Sequence, residues 1–144
     1  GVLHHLDLEA AASEIARVLR PGGRAVFVEP LKYNPVINLY RRWSPDIRTR
    51  DEHPMSFAAF GRMGRRFREV RHREFQLVAL LIHVYFYAVL KLDPRRERYW
   101  KRAVHDGRRF ERWFRAARRI DRILLAVVPP LRWLSWASVV EFGK

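Results

Sequence analysis

Residues 2–30 read VLHHLDLEAAASEIARVLRPGGRAVFVEP, and three pieces follow one another in that stretch. Residues 1–5 open on an apolar run, which reads as the end of a buried strand. Asp7 comes next, with a carboxylate able to accept from the open N–H groups of a first helical turn. Glu9 suits the positive end of that helix. Leu8, Ala11, Ala12, Ile15, Ala16 and Leu19 recur at three- and four-residue spacing and make one apolar face. Arg17 and Arg20 sit in the last turn, and Pro21-Gly22-Gly23 stops the helix. Ala25 to Val28 is then a short apolar run closed by Glu29-Pro30. It reads as a central strand buried on both faces, the pattern of a parallel sheet. Helix, tight turn and strand make half of a right-handed βαβ unit, so the expected fold class is α/β.

Outward from this stretch, Asn34 is placed to cap a second helix with Pro35 at its first position. Val36, Ile37, Leu39, Tyr40 and Trp43 supply its apolar surface. A polar loop spans Ser44 to Pro54. Ser56 is expected to cap a third helix running to about Phe67, and residues 68–77 read as a strand nearer the sheet edge. Residues 77–92, LVALLIHVYFYAVLKL, are apolar almost throughout. A membrane span needs roughly 20 apolar residues, so a buried or interfacial segment is expected instead. Residues 95–122 hold twelve basic and four acidic residues. Phe110, Trp113, Phe114, Ala117, Ile120 and Leu124 recur there at helical spacing. They predict an amphipathic basic helix over 108–124, preceded by another around Tyr99 to Val104. Pro129-Pro130 breaks the pattern, and Trp133 to Phe142 reads as a final strand.

A length of 144 residues allows one compact domain, and a hydrophobic share of 49% supports a real core. The absence of cysteine excludes disulfide scaffolds and zinc–thiolate sites. The net charge of +14 favours an acidic partner: an anionic membrane surface, nucleic acid or an anionic substrate. No nucleic-acid motif is present, which makes nucleic acid the weakest of the three. A first residue Gly1, followed at once by an apolar run, reads as a chain cut from a longer protein. The charged start of a secretory signal is missing, and the expected location is cytoplasmic, with peripheral membrane contact through 77–92 and 108–124.

The wording of residues 1–30 resembles the stretch after the fourth strand of class I S-adenosylmethionine-dependent methyltransferases. Val2-Leu3-His4-His5 matches the apolar-His end of that strand. Glu14-Ile15-Ala16-Arg17-Val18-Leu19-Arg20-Pro21-Gly22-Gly23 matches the helix end EIxRVLxPGG. Arg24 to Glu29 matches the fifth strand, and the final WASVVEFGK is similar to the usual closing strand. The resemblance implies the C-terminal part of a Rossmann-like methyltransferase sheet with a helical, basic insertion before the last strand. It divides the chain into 1–77 as core, 78–132 as insertion or cap, and 133–144 as closing strand. It also implies S-adenosylmethionine as cofactor, and together with the apolar segment 77–92 it leads to the expectation of a small, hydrophobic or lipid-like molecule as methyl acceptor. The family's glycine-rich loop, GxGxG, does not occur in these residues and is expected N-terminal of Gly1, so the chain alone is expected to be inactive.

The carboxyl ends of the strands are where open α/β sheets bind ligands. By the family's arrangement, Leu3, His4 and His5 are the expected cofactor contacts. Glu29, Pro30, Asn34, Tyr40, Asp51, Glu52 and His53 are the expected substrate side. Methyl transfer chiefly requires alignment of nucleophile, carbon and sulfur, and a base only where the nucleophile must lose a proton. His5 and His53 are the candidates for that base. Because strand side chains alternate, one of His4 and His5 is expected to face the site. The histidines show no HxH or HExxH spacing, and no metal is expected. The alternative function is a non-catalytic basic module that binds an anionic membrane surface or nucleic acid.

Overall fold

The computed structural model describes residues 1–45, 49, 51–91, 93 and 107–144. In chain order its elements are a 3-10 turn Leu3–His5, α1 (Leu8–Val18), β1 (Arg24–Pro30), α2 (Pro35–Trp43), α3 (Phe57–Gly64), β2 (Glu69–Phe75), α4 (Leu80–Ala88), α5 (Gly107–Val127), a 3-10 stretch Pro129–Leu134 and β3 (Ala137–Gly143). The helix expected around Tyr99 to Val104 lies outside the described residues. Contacts divide the chain into two units. The first holds Gly1–Tyr33, Arg50–Glu74 and Ala137–Lys144; the second holds Asn34–Thr49 and Phe75–Trp136.

In the first unit each helix starts where its sequence marks a start. Asp7 Oδ1 accepts from Ala10 N at 2.8 Å, and Ser56 Oγ accepts from Ala59 N at 3.1 Å. The end of α1 is held by a distant residue: Lys144 Nζ donates to Leu19 O at 2.8 Å and to Ala16 O. A cation there also meets the negative end of the helix dipole. Gly22 has φ of 75°, which lets the chain reverse into β1. The three strands lie in the order β1-β3-β2. β1 and β3 are antiparallel, with Arg24 opposite Gly143 and Pro30 opposite Ala137. Arg68 N donates to Gly143 O, and Ser138 Oγ donates to Arg73 O, so β2 also runs against β3. Leu3, Ala12, Phe60, Met63, Val140 and Phe142 form the core beside this sheet.

The second unit is helical. Asn34 Oδ1 accepts from Ile37 N at 3.0 Å and starts α2. α4 and α5 pack through Ala79, Ile82, Phe86 and Ala117, with Phe110 and Phe114 against them. Asp121, buried on α5, accepts from Leu77 N at 3.2 Å and Val78 N at 2.6 Å. It thereby holds the approach to α4 in place. No helix among the described residues is long and apolar enough to cross a membrane.

Several expectations change. Residues 1–5 do not continue a strand; they coil into the 3-10 turn because Glu29 draws their N–H groups to one point, as shown below. β1 is not a central strand of a parallel sheet. It is an edge strand in an antiparallel one, and its burial alternates. Val26 and Val28 remain exposed on one face while Phe27 and Glu29 turn inward, so a run of apolar letters hid a period of two. The mixed α/β class stands, but the strand order is not that of a Rossmann-like sheet. α3 stops at Gly64 instead of Phe67, since Arg65, Arg66 and Phe67 make tighter three-residue hydrogen bonds. The final strand begins at Ala137, after Trp133 and Leu134 are taken into the 3-10 stretch that Pro129-Pro130 opens.

Two glycines of α3 make opposite forecasts. A Cβ on Gly61 meets nothing within 4 Å, whereas one on Gly64 comes within 2.5 Å of Val70 Cγ2, on a stiff β-branched side chain. We expect Gly61→Ala to raise stability by roughly 0.5–1 kcal/mol. Gly64→Ala should lower it by about 1–3 kcal/mol. Thermal melts of the two variants check both signs.

Candidate functional site

The site grows from one carboxylate at the C-terminal end of β1. Glu29 is fully buried. Its Oε1 accepts from Val2 N and Leu3 N, both at 2.9 Å. Its Oε2 accepts from His4 N at 3.3 Å and lies 2.6 Å from His4 Nδ1. A carboxylate has no proton to give, so Nδ1 of His4 is the donor. Burial pushes the Glu29 carboxyl up. The hydrogen bonds from His4, Val2 and Leu3 together push harder the other way, and the group is held below its ordinary range.

The neighbouring residues are brought in by backbone. His53 N donates to His4 O at 2.7 Å, Met55 N donates to Pro30 O at 2.8 Å, and Lys32 N donates to Met55 O at 3.0 Å. The segment from Asp51 to Met55 is thereby pinned between the histidine turn and the end of β1. The His4 and His5 rings lie 4.1 Å apart, tilted by 42°. His5 Nδ1 is 3.5 Å from Asp51 Oδ2, with both side chains partly open to solvent. Leu3, His4, His5, Glu29, Pro30, Asp51, Glu52 and His53 therefore gather at one corner of the first unit.

Asn34 and Tyr40 belong to the second unit. Asn34 caps α2 and also donates through Nδ2 to Leu134 O. The Tyr40 ring stacks on Tyr87 at 5.5 Å. Both side chains are thus engaged in holding that unit together. Within the corner, Glu29 spends its oxygens on the turn, and Leu3 is buried in the core. At the surface of the corner the His5 imidazole and the Asp51 carboxylate are partly exposed, with Glu52 half-buried and His53 exposed beside them. Among the described residues no three His, Asp or Glu side chains converge as a metal site.

Sequence reading missed a second carboxylate–imidazole pair, in which Glu74 is buried and His72 is exposed. His72 Nδ1 lies 2.6 Å from Glu74 Oε1, which also accepts from Ser138 Oγ at 3.2 Å. Burial pushes the Glu74 carboxyl up, but His72 and Ser138 bring it below its ordinary value. The signal was present: residues two apart in a strand share a face. His83 is a different case. It is 4% exposed, between Trp136 at 5.4 Å, Phe114 at 5.7 Å and Phe86 at 5.9 Å. Burial alone pushes it down to about 4.

Two measurements follow from these groups. Glu29→Gln keeps the size of the side chain but loses the charge and turns an amide –NH2 toward N–H donors. We expect a loss of about 2–4 kcal/mol at pH 7. A depressed carboxyl stabilises above its unfolded pKa, and that contribution fades as pH falls through the folded value, so the wild type should approach the variant in acid. His83 acts in a higher window. Its folded pKa of about 4 lies below the ordinary 6.5, so its contribution is complete above 6.5 and is lost as pH falls toward 4. The loss is about 3 kcal/mol. Denaturant melts across pH 4 to 7 should show that slope in the wild type and a shallower one in His83→Phe.

Comparison with known proteins bears on the same corner. No curated protein and no solved structure matches the chain. The family model described as a methyltransferase domain matches residues 1–27, which run from the histidine turn through α1 into β1. The similarity is confined to this N-terminal edge of the chain.

Proposed function

We propose that the protein transfers a methyl group from S-adenosylmethionine to a small, hydrophobic or lipid-like molecule. The observation that carries this reading is the coincidence of the family match over residues 1–27 with the histidine corner at the end of β1. Methyl transfer as such rests on the match; the cofactor and the acceptor are the proposal.

The residues present suit one side of such a cofactor. An exposed carboxylate and an imidazole stand together at Asp51 and His5, and such a carboxylate can accept from hydroxyls or face a cationic group. Leu3 backs the turn from the core. When bound, S-adenosylmethionine supplies an electrophilic methyl on a sulfonium. What the chain itself contributes is positioning. Glu29 fixes the turn, and the turn fixes the His5 ring, so the ring does not have to be ordered at the moment of reaction. Where the acceptor must lose a proton, His5 is the group to take it. Asp51 Oδ2 stands 3.5 Å from His5 Nδ1. His53 borders the acceptor side of the same corner.

The test is calorimetry with S-adenosylmethionine on the protein that carries this chain. Wild type should bind. His5→Ala should weaken binding about 5- to 50-fold, the scale of one lost contact worth roughly 1–2 kcal/mol. Glu29→Gln should weaken it further by releasing the turn. Absence of any heat of binding in the wild type removes the reading.

A further inference from the structure

α5 shows three stripes. Phe110, Phe114, Ala117 and Asp121 face α4 and are packed there. Trp113, Ala116, Ile120, Ile123 and Val127 follow at three- and four-residue steps and form a second, apolar stripe. This one is open to solvent: Trp113 is 69% exposed and Val127 is 73% exposed. Arg108, Arg112, Arg115, Arg119 and Arg122 make the third stripe, at the same steps and also exposed. An amphipathic helix in a globular protein needs only the first and third. The second stripe is left over after the core is built.

The apolar stripe borders a groove of about 750 Å³ between α4 and α5. Leu81, Ile82, Tyr85, Phe110, Trp113 and Ile120 line it, and among the described residues Arg112 is its one charged wall residue. Leu81 is 62% exposed, so the groove and the stripe make one open apolar surface along both helices. Its length on α5, from Trp113 to Val127, is roughly 20 Å at 1.5 Å per residue.

We propose that this surface docks on an anionic membrane, with the α4–α5 groove and the Trp113–Val127 stripe at the level of the acyl boundary and the arginine stripe among the headgroups. Charge complementarity selects the occupant. α5 carries seven arginines, and its two acidic side chains are both spoken for: Glu111 pairs with Arg115 at 2.5 Å, and Asp121 is buried under α4. A second copy of a chain with net charge +14 would bring like charge to like. A bilayer with acidic headgroups offers both an apolar layer and a negative one, stacked as the two stripes are. Arginine's long stem reaches from the apolar level to the phosphates. Nothing in this arrangement spans the bilayer, since α4 has nine residues and α5 is arginine-rich. The inference uses no residue of the histidine corner, so it stands or falls apart from the methyl-transfer reading.

The experiment is sedimentation of the whole chain with vesicles, without cofactor. One set is pure phosphatidylcholine; the other contains a third phosphatidylglycerol. Binding to the anionic set should exceed binding to the neutral set by at least tenfold at low salt and fall steeply as salt rises. Arg112→Gln and Arg119→Gln should each weaken it about fivefold. Trp113→Ala, at an exposed position that leaves the helix intact by circular dichroism, should weaken it about tenfold. Ile120→Ala with Ile123→Ala repeats that test without an aromatic residue. Equal binding to both vesicle sets, or no binding to either, overturns the proposal. So does salt-sensitive capture of an oligonucleotide that matches the vesicle affinity and ignores the apolar substitutions; that result would assign the arginines to nucleic acid.

Discussion

The arrangement of the first unit's corner depends on a carboxylate that has no exposure to water. Glu29 gathers three consecutive backbone N–H groups and one imidazole onto two oxygens. Taking such a charge out of water is costly unless its acceptors are filled. Filling them leaves the chain around residues 2–4 little choice of path. A strand points successive N–H groups to opposite sides, so it cannot offer three in a row to one carboxylate. A 3-10 turn can. The conformation of the histidine segment is therefore set by a residue 25 positions away.

The same economy appears at the other end of the unit. The end of α1 leaves carbonyls that need donors. They are met by Lys144, the residue after β3, while Gly22 N donates to Lys144 O and Lys144 N donates to Gly23 O. The turn that reverses α1 into β1 is thus stitched to the far end of the chain. β3 closes the unit by running between β1 and β2, with Phe142 packed against Phe27 and Phe67. Contacts between residues more than a hundred positions apart hold the corner in which His5 and Asp51 meet.

Local signals were legible, and long-range ones were not. Asp7, Asn34 and Ser56 each mark the helix start they cap, because a cap is decided within three residues. Helix α5 was readable from its period alone. The wording of residues 1–30 resembles a methyltransferase stretch, and the family match, over 1–27, falls within it. Strand direction was not readable. Val26 and Val28 are apolar, so their exposure left no trace in the letters, and a parallel, buried strand was expected where an antiparallel edge strand forms. The corner was half legible: its residue types pointed to chemistry, but the use of Glu29 as a clamp depends on a partner that no local pattern reveals. Asn34 was legible as a cap and caps α2.

His4 and His83 have similar burial and opposite surroundings. His4 has a carboxylate at 2.6 Å that fixes its tautomer and orients its ring. His83 has aromatic edges and faces, and burial pushes its pKa down to about 4. An imidazole held by a carboxylate is oriented for proton chemistry; one enclosed by Trp136, Phe86 and Phe114 stays neutral and acts as packing. The chemistry proposed for the protein therefore belongs to the first unit, where charge is gathered and oriented. The second unit buries an uncharged ring inside and keeps Arg108, Arg112, Arg115, Arg119 and Arg122 of α5 outside, as the proposed membrane-facing surface requires.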